Sequence, residues 1–303
     1  IHELGKINEM KDTIVLMLIS SEKGESLAKI VIQSLHTLGG KLINSPIWIF
    51  VNKGYYVNHT LSDIDGVEWF PLEIDQEFPS YRFPEKVFAC AEAEAMVGSQ
   101  IRSLVWLSLD CLILNPPLLF DLKENTGYQA ADVAFRPVHH CNIGSLANEP
   151  LDPFWSDIYQ TLEITEMPQT ITSYVDGQVL RPYFNTHCFA LNPGIGLAEK
   201  WWQSFQTLVL DRNFQATSCQ DSLHKIFLHQ AILSALVPIN LPWNRVRLLP
   251  PEYNFPLNLL DQIAEEKKPK SLNHLVNAVY EDTFPWGKIN IEEPLYSWLK
   301  QRL

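Results

Sequence analysis

No two cysteines stand in a C-x-x-C spacing, and the five present (Cys90, Cys111, Cys141, Cys188 and Cys219) are scattered singly. That pattern excludes a zinc ribbon or a disulfide framework and leads us to expect reduced thiols in a cytoplasmic setting. Basic charge is scarce: 23 Lys and Arg against 35 Asp and Glu leave a net charge of −12. Such a balance argues against a nucleic-acid or anionic-membrane surface, though not against a small phosphorylated ligand in a locally positive pocket. Long apolar runs are missing as well. The run Ile14–Ile19 is far short of the roughly 20 residues of a spanning helix, so no transmembrane segment is expected. Glycine is sparse, at 13 residues, and stands in neither G-x-x-x-x-G-K-[ST] nor G-x-G-x-x-G. P-loop and classical dinucleotide-binding readings therefore lack support.

What is there reads as an α/β chain. With 46% hydrophobic and 19% charged residues, a chain of 303 needs no metal or disulfide staple to fold. Ile14–Ile19, Ile47–Val51, Val67–Leu72 and Leu104–Leu109 are apolar runs of strand length, as buried parallel strands require. Between them, Leu27, Ile30, Val31, Leu35 and Leu38 fall at helical spacing before Gly39-Gly40, and Lys86–Val97 forms a second, alanine-rich helix behind Pro84. The order predicts a mostly parallel sheet flanked by helices. The second half is mixed. Strands are expected at Asp132–Phe135 and Phe184–Leu191, and helices at Pro153–Leu162, Ala198–Val209 (Trp201 and Trp202 on its core stripe) and Asp221–Leu236. The proline-rich tail from Asn240 should wrap the surface. We expect one domain over residues 1–303, made of a half over 13–110 and a half over 111–303 that ends in the C-terminal wrap.

In an open parallel sheet, ligands bind beyond the carboxyl ends of the strands. Ser20, Ser21 and Asn52 occupy such positions, with an N-cap role the competing reading for serine. Asp110 follows the strand LVWLSL directly. A carboxylate there requires a cation, a donor network or solvent. Asn185, Thr186 and His187 interrupt an otherwise apolar strand and need partners. Gln230 shares a helical stripe with Leu223, Ile226, Phe227 and Leu233, beside His229. Adjacent His139 and His140 make a poor metal pair.

The segment Leu109-Asp110-Cys111-Leu112, followed by Pro116, resembles the surroundings of the metal-binding D-x-D in GT-A fold nucleotide-sugar glycosyltransferases, in particular the glycogenin and galactosyltransferase-like group. In the same order, Tyr183-Phe-Asn-Thr-His187 is similar to that group's YFNSG strand, and His229-Gln-Ala-Ile-Leu233 to its DQDIL helix. Leu249-Pro-Pro-Glu-Tyr-Asn254 resembles its L-P-x-x-Y-N turn, and Asn273-His274 with Pro285-Trp286 its HxGxxKPW end. The resemblance implies a GT-A-like fold and transfer of a sugar from a UDP- or GDP-sugar donor to an acceptor hydroxyl, with retention of anomeric configuration.

It further implies roles residue by residue. Asp110, Asn185 and Gln230 would serve catalysis; Ser20, Ser21, Asn52, Arg82, Lys86 and Asp110 would hold the donor; His187, His229 and Trp286 would meet the substrate. Asp110 and His274 would be the matched ligands for Mn²⁺ or Mg²⁺. The D-x-D is degenerate, because Leu112 stands at its second aspartate, and Phe284 replaces the lysine before Pro-Trp. Metal binding is therefore expected to be weak and nucleotide-dependent, or replaced by Lys86 on the diphosphate. The alternative is a non-catalytic GT-A-like binding or scaffold protein. SSEKGES fits a nucleotidyltransferase signature poorly.

Overall fold

The computed structural model describes residues 12–52, 55, 61, 64–74, 78, 81–123, 127–281 and 283–303. Apolar patterning sets its elements. TIVLMLI forms β1 (Thr13–Ile19), buried on both faces except at Leu18. Helix α1 (Glu22–Leu38) begins where the Ser21 side chain accepts the Gly24 amide at 3.1 Å, with Glu22 and Glu25 in its first turn. It stops at the expected glycines. Gly40 has φ +59, and a Cβ there would lie 2.7 Å from that of Pro116, so only glycine fits.

There follow β2 (Ile47–Asn52), β3 (Val67–Leu72), α2 (Pro84–Met96), β4 (Ser103–Leu107), β5 (Cys111–Ile113), β6 (Val133–Pro137), α3 (Pro153–Thr161), β7 (Ile171–Thr172), β8 (Val179–Leu180) and β9 (Phe184–Leu191). The last third supplies α4 (Leu197–Leu210), α5 (Arg212–Thr217), α6 (Ser222–Asn240), β10 (Val246–Leu248), β11 (Phe255–Pro256), β12 (Asn277–Val279) and α7 (Leu295–Lys300).

Seven strands make the main sheet in the order β10-β6-β9-β4-β1-β2-β3. All run parallel to β1 except β9, which pairs antiparallel with both β4 and β6. One face packs on α2, α3, α4 and α6 through Ala89, Ile158, Trp201 and Leu228; the other packs on α1 through Ala28, Val31 and Leu35. Trp201 and Trp202 are core residues, at 0% and 8% exposure, as their helical stripe suggests. Helix α6 is long and apolar enough by composition to cross a membrane, yet residues 228–237 are all buried against β9, α3 and α4, the packing of a core helix.

Two expectations are corrected. The strand expected over Leu104–Leu109 ends at Leu107, because the chain turns at 109–110 to start β5. The tail after Asn240 does more than wrap the surface. Its β11 and β12 join β5 in a second sheet, whose apolar side closes over Leu27, Ile30 and Leu38 of α1. Strands this short carry too few residues to show a period in sequence.

A pair of buried amides joins the two sheets. Asn254, at 0% exposure and φ +48, donates from Nδ2 to the Cys188 carbonyl of β9 at 2.6 Å and accepts from Asn277 Nδ2 at 3.0 Å. Asn277 Oδ1 in turn takes the Asn254 amide at 3.2 Å. Asparagine is among the few residues at ease in the left-handed region. Asn254→Ala strands two buried polar partners and should lower the unfolding free energy by about 2–4 kcal/mol. Urea denaturation checks this, and a loss under 1 kcal/mol would show that the amide pair is dispensable.

Candidate active site

Because β9 runs backwards, its amino end lies at the edge where β1, β2, β4 and β6 finish. Ser20, Asn52, Asp110 and His139 stand just beyond, or at the end of, those four strands, and Asn185–His187 open β9. A cleft of about 280 Å³ lies there, lined by His139, His140, Asn185, His187, Gln230 and Glu281 among others. Asn185 and His187 of the polar triplet in β9 thus meet Gln230 in one cavity, while Thr186, between them, turns towards His229.

Asn185 Oδ1 is the organiser. It accepts the His187 amide at 2.8 Å and lies 3.1 Å from His187 Nδ1. An amide oxygen only accepts, so Nδ1 carries the proton and Nε2 keeps a lone pair. Desolvation holds the imidazole below the ordinary histidine range, opposed by the charges of Asp110 and Glu281 and assisted by Lys86. Asp110 is half-buried in the turn after β4, and its carbonyl accepts the Tyr280 amide at 3.0 Å.

Lys86 lies within α2, only 4% exposed. Its ammonium donates to the Thr186 carbonyl and sits 5.4–5.7 Å from the ring centroids of Phe83, Trp106 and Phe189. Desolvation lowers its pKa from 10.5 to about 8, with Cys90, Cys188 and Asp110 pulling the other way. Phe83, the residue before Pro84, has φ 70, a strained conformation for an aromatic residue. Its ring packs 4.8 Å from that of His229, so the start of α2 is held against α6.

Several expected site residues fall elsewhere. His229 is 2% exposed, with Nε2 3.1 Å from Thr186 Oγ1 and Nδ1 3.1 Å from the Ile226 carbonyl. Both ring nitrogens are bonded inside the core, so His229 tethers α6 to β9 and does not line the cleft. Ser21 is the N-cap of α1. A Cβ on Gly24 would lie 3.3 Å from Leu109 Cδ1, so this helix start nevertheless touches the Asp110 turn. Ser20 and Arg82 are exposed, and Asn52 Oδ1 is buried without a partner among the described residues. Trp286 packs on Phe284 at 4.6 Å and on Tyr296 of α7 at 6.1 Å, outside the cleft.

His274 does not reach Asp110. In the β5–β12 ladder Val279 pairs with Cys111 and Asn277 with Ile113, so Tyr280 faces Asp110 and His274 lies beyond the opposite end. Leu112 is fully buried. Among the described residues no group of three or more His, Cys, Asp or Glu is placed to hold a metal ion.

Arg136 does not stand out in the sequence, and His139 reads there only as half of a poor metal pair. Arg136 is 4% exposed in β6, and among the described residues its Nε and Nη2 have no acceptor and both buried His139 ring nitrogens have no partner. Desolvation, with Arg136 close by, pushes the His139 imidazole well below its usual range. A charge inside the run DVAFRPV was the signal available.

No family model matches the sequence, and no curated protein matches it. Solved structures do. Mouse xyloside xylosyltransferase 1 superimposes with a TM-score of 0.52 at 12% identity, over 90% of this chain and 99% of that one. The glycosyltransferase GlyE of Streptococcus pneumoniae TIGR4 gives 0.53 at 14% identity, over 97% of this chain and 60% of its own. The bifunctional glycosyltransferase WbbM gives 0.51 at 13%, over 91% of this chain and 46% of its own. The chain therefore has a glycosyltransferase fold of the GT-A-like kind, a mostly parallel sheet flanked by helices.

The buried ammonium yields a stability prediction. Below pH 8 the folded state holds Lys86 charged without water; between about 8 and 10.5 the unfolded chain keeps that proton while the folded one releases it. Stability therefore rises with pH across that window. Relative to Lys86→Met, the wild type should gain about 3 kcal/mol from the bottom to the top of it. A pH-independent difference in denaturation free energy would refute the shift.

Proposed function

We propose that the chain is a glycosyltransferase that moves a sugar from a nucleotide-diphospho-sugar to an acceptor hydroxyl. The observation that carries this reading is the meeting of Asn185, His187 and Gln230 in one cleft at the carboxyl edge of a glycosyltransferase fold, with Lys86 and Asp110 near enough to act on the charge of His187. The acceptor oxygen bonds to the anomeric carbon as the carbon–oxygen bond to the diphosphate breaks, and the hydroxyl proton passes to the departing diphosphate oxygen. The step is assisted chiefly by charge placed where the leaving group becomes more negative. Lys86 spends one donor on the Thr186 carbonyl and keeps two. Asn185 and Gln230 supply amides to the sugar, and Ser20, Asn52 and Asp110 form the nucleotide side. The resemblance to the glycogenin and galactosyltransferase-like group supports retention of configuration and a UDP- or GDP-linked donor. The unpaired thiols, four of them buried, support a reducing compartment.

A divalent cation has one matched carboxylate here, Asp110. Mn²⁺ or Mg²⁺ then binds weakly and only with the diphosphate, or Lys86 replaces it. Titration of Mn²⁺ into nucleotide-free protein should show no micromolar binding; tight binding would reveal an overlooked ligand.

Calorimetry against UDP, GDP and their sugars, with and without Mn²⁺, tests the function. We expect a nucleoside diphosphate to bind, and Asp110→Ala to weaken it at least about tenfold. Affinity should fall as the pH rises above about 8, where Lys86 of the free protein loses its proton. If no nucleotide binds, the second reading stands: a GT-A-like scaffold, which the burial of Leu112 at the D-x-D position favours.

A further inference from the structure

A second cavity, of about 520 Å³, adjoins the cleft across β11: Phe255 lines this groove, and Pro256, the next residue, lines the cleft. Its wall carries Lys267, Lys268, Lys270 and His274, with the exposed carboxylates of Glu252 and Glu266 also on its lining. On a chain of net charge −12 this is a local reversal of sign.

Two cations converge on one ring that lines the groove. Arg136 Cζ lies 4.8 Å, and Lys267 Nζ 5.5 Å, from the centroid of Tyr174. The ring is fixed between them. The Tyr174 amide donates to the Val138 carbonyl at 3.0 Å, its hydroxyl donates to the Lys267 carbonyl at 2.7 Å, and Lys267 Nζ donates to the Tyr174 carbonyl at 2.7 Å. The Arg136 side chain has no hydrogen bond or ion pair among the described residues, and its Nε and Nη2 are out of contact with water. A guanidinium held that way is costly; the ring face and the more distant charge of Glu252 offset only part of the cost. Lys270 likewise has no partner among the described residues. Lys268 is paired with Glu265. His274 Nδ1 lies 2.8 Å from Ser271 Oγ, which leaves Nε2 for a ligand.

We propose that this groove binds a tetrahedral oxyanion, the phosphate or sulfate group of a small ligand. Lys267 and Lys270 contact it as point charges, His274 Nε2 adds a hydrogen bond, and Arg136 contributes field from beneath Tyr174. The anion supplies the counter-charge that the Arg136–Tyr174–Lys267 stack lacks. The inference does not depend on sugar transfer, because none of these side chains lines the cleft.

Thermal unfolding in inorganic phosphate and, separately, in sodium sulfate, each at fixed ionic strength, tests the proposal. Both anions, or the one whose ester is the ligand, should stabilise the wild type in a saturable manner. Lys267→Gln/Lys270→Gln leaves Arg136 in place, removes the Lys267 bond to the Tyr174 carbonyl, and should weaken the apparent affinity at least about tenfold. Arg136→Met should raise the melting temperature of the anion-free protein while weakening anion binding, a combination that a merely structural role would not produce. No saturable stabilisation by either anion overturns the proposal. So does equal stabilisation of the double lysine variant, which would put the anion elsewhere.

Discussion

Strand β9 runs against its neighbours, pairing antiparallel with β4 on one side and β6 on the other. In a wholly parallel sheet the residues that open a strand lie at the edge opposite the ligand site. Reversal brings Asn185, Thr186 and His187 to the edge where Asp110, Asn52 and Ser20 emerge, and sets the Thr186 carbonyl above the Lys86 ammonium. The strand is fixed from below as well, where Asn254 takes the Cys188 carbonyl and ties it to β12. The geometry of the cleft rests on the register of this strand.

Two buried cations give an acidic chain its positive interior. Lys86 is surrounded by the rings of Phe83, Trp106 and Phe189, and Arg136 stacks on Tyr174. Neither makes an ion pair with a carboxylate among the described residues, so both hold uncompensated charge in apolar surroundings. Folding bears that cost through the apolar packing on both faces of the sheet. A net charge of −12 describes the outer surface and conceals these sites.

The sheet and its flanking helices were legible in the sequence because they rest on local pattern. IVLMLI, IWIFV and LVWL could be little other than buried strands, and the stripe through Trp201, Trp202 and Phe205 had to face a core. Polar residues inside apolar strands were legible too. Asn185 and His187 in β9 drew attention because such groups need partners, and the structure supplies them. The glycosyltransferase fold, suggested by ordered fragments around Asp110, Asn185, Gln230 and Asn254, is the fold of the solved structures that superimpose on this chain.

What sequence could not decide was distance. His229, Trp286 and His274 carried suggestive chemistry, yet a tether to Thr186, a seat against α7 and the register of β5 on β12 take each away from the cleft. Burial of Arg136 and both nitrogens of His139 came from packing by segments remote in the chain. The sequence by itself determined the elements, the faces they bury and which polar residues would need partners, since these follow from periodicity and the cost of burying unpaired charge. Tertiary structure alone decided the direction of β9, the partners of each polar group and the two cavities either side of β11. Those depend on contacts between residues tens to hundreds of positions apart, which no local pattern encodes.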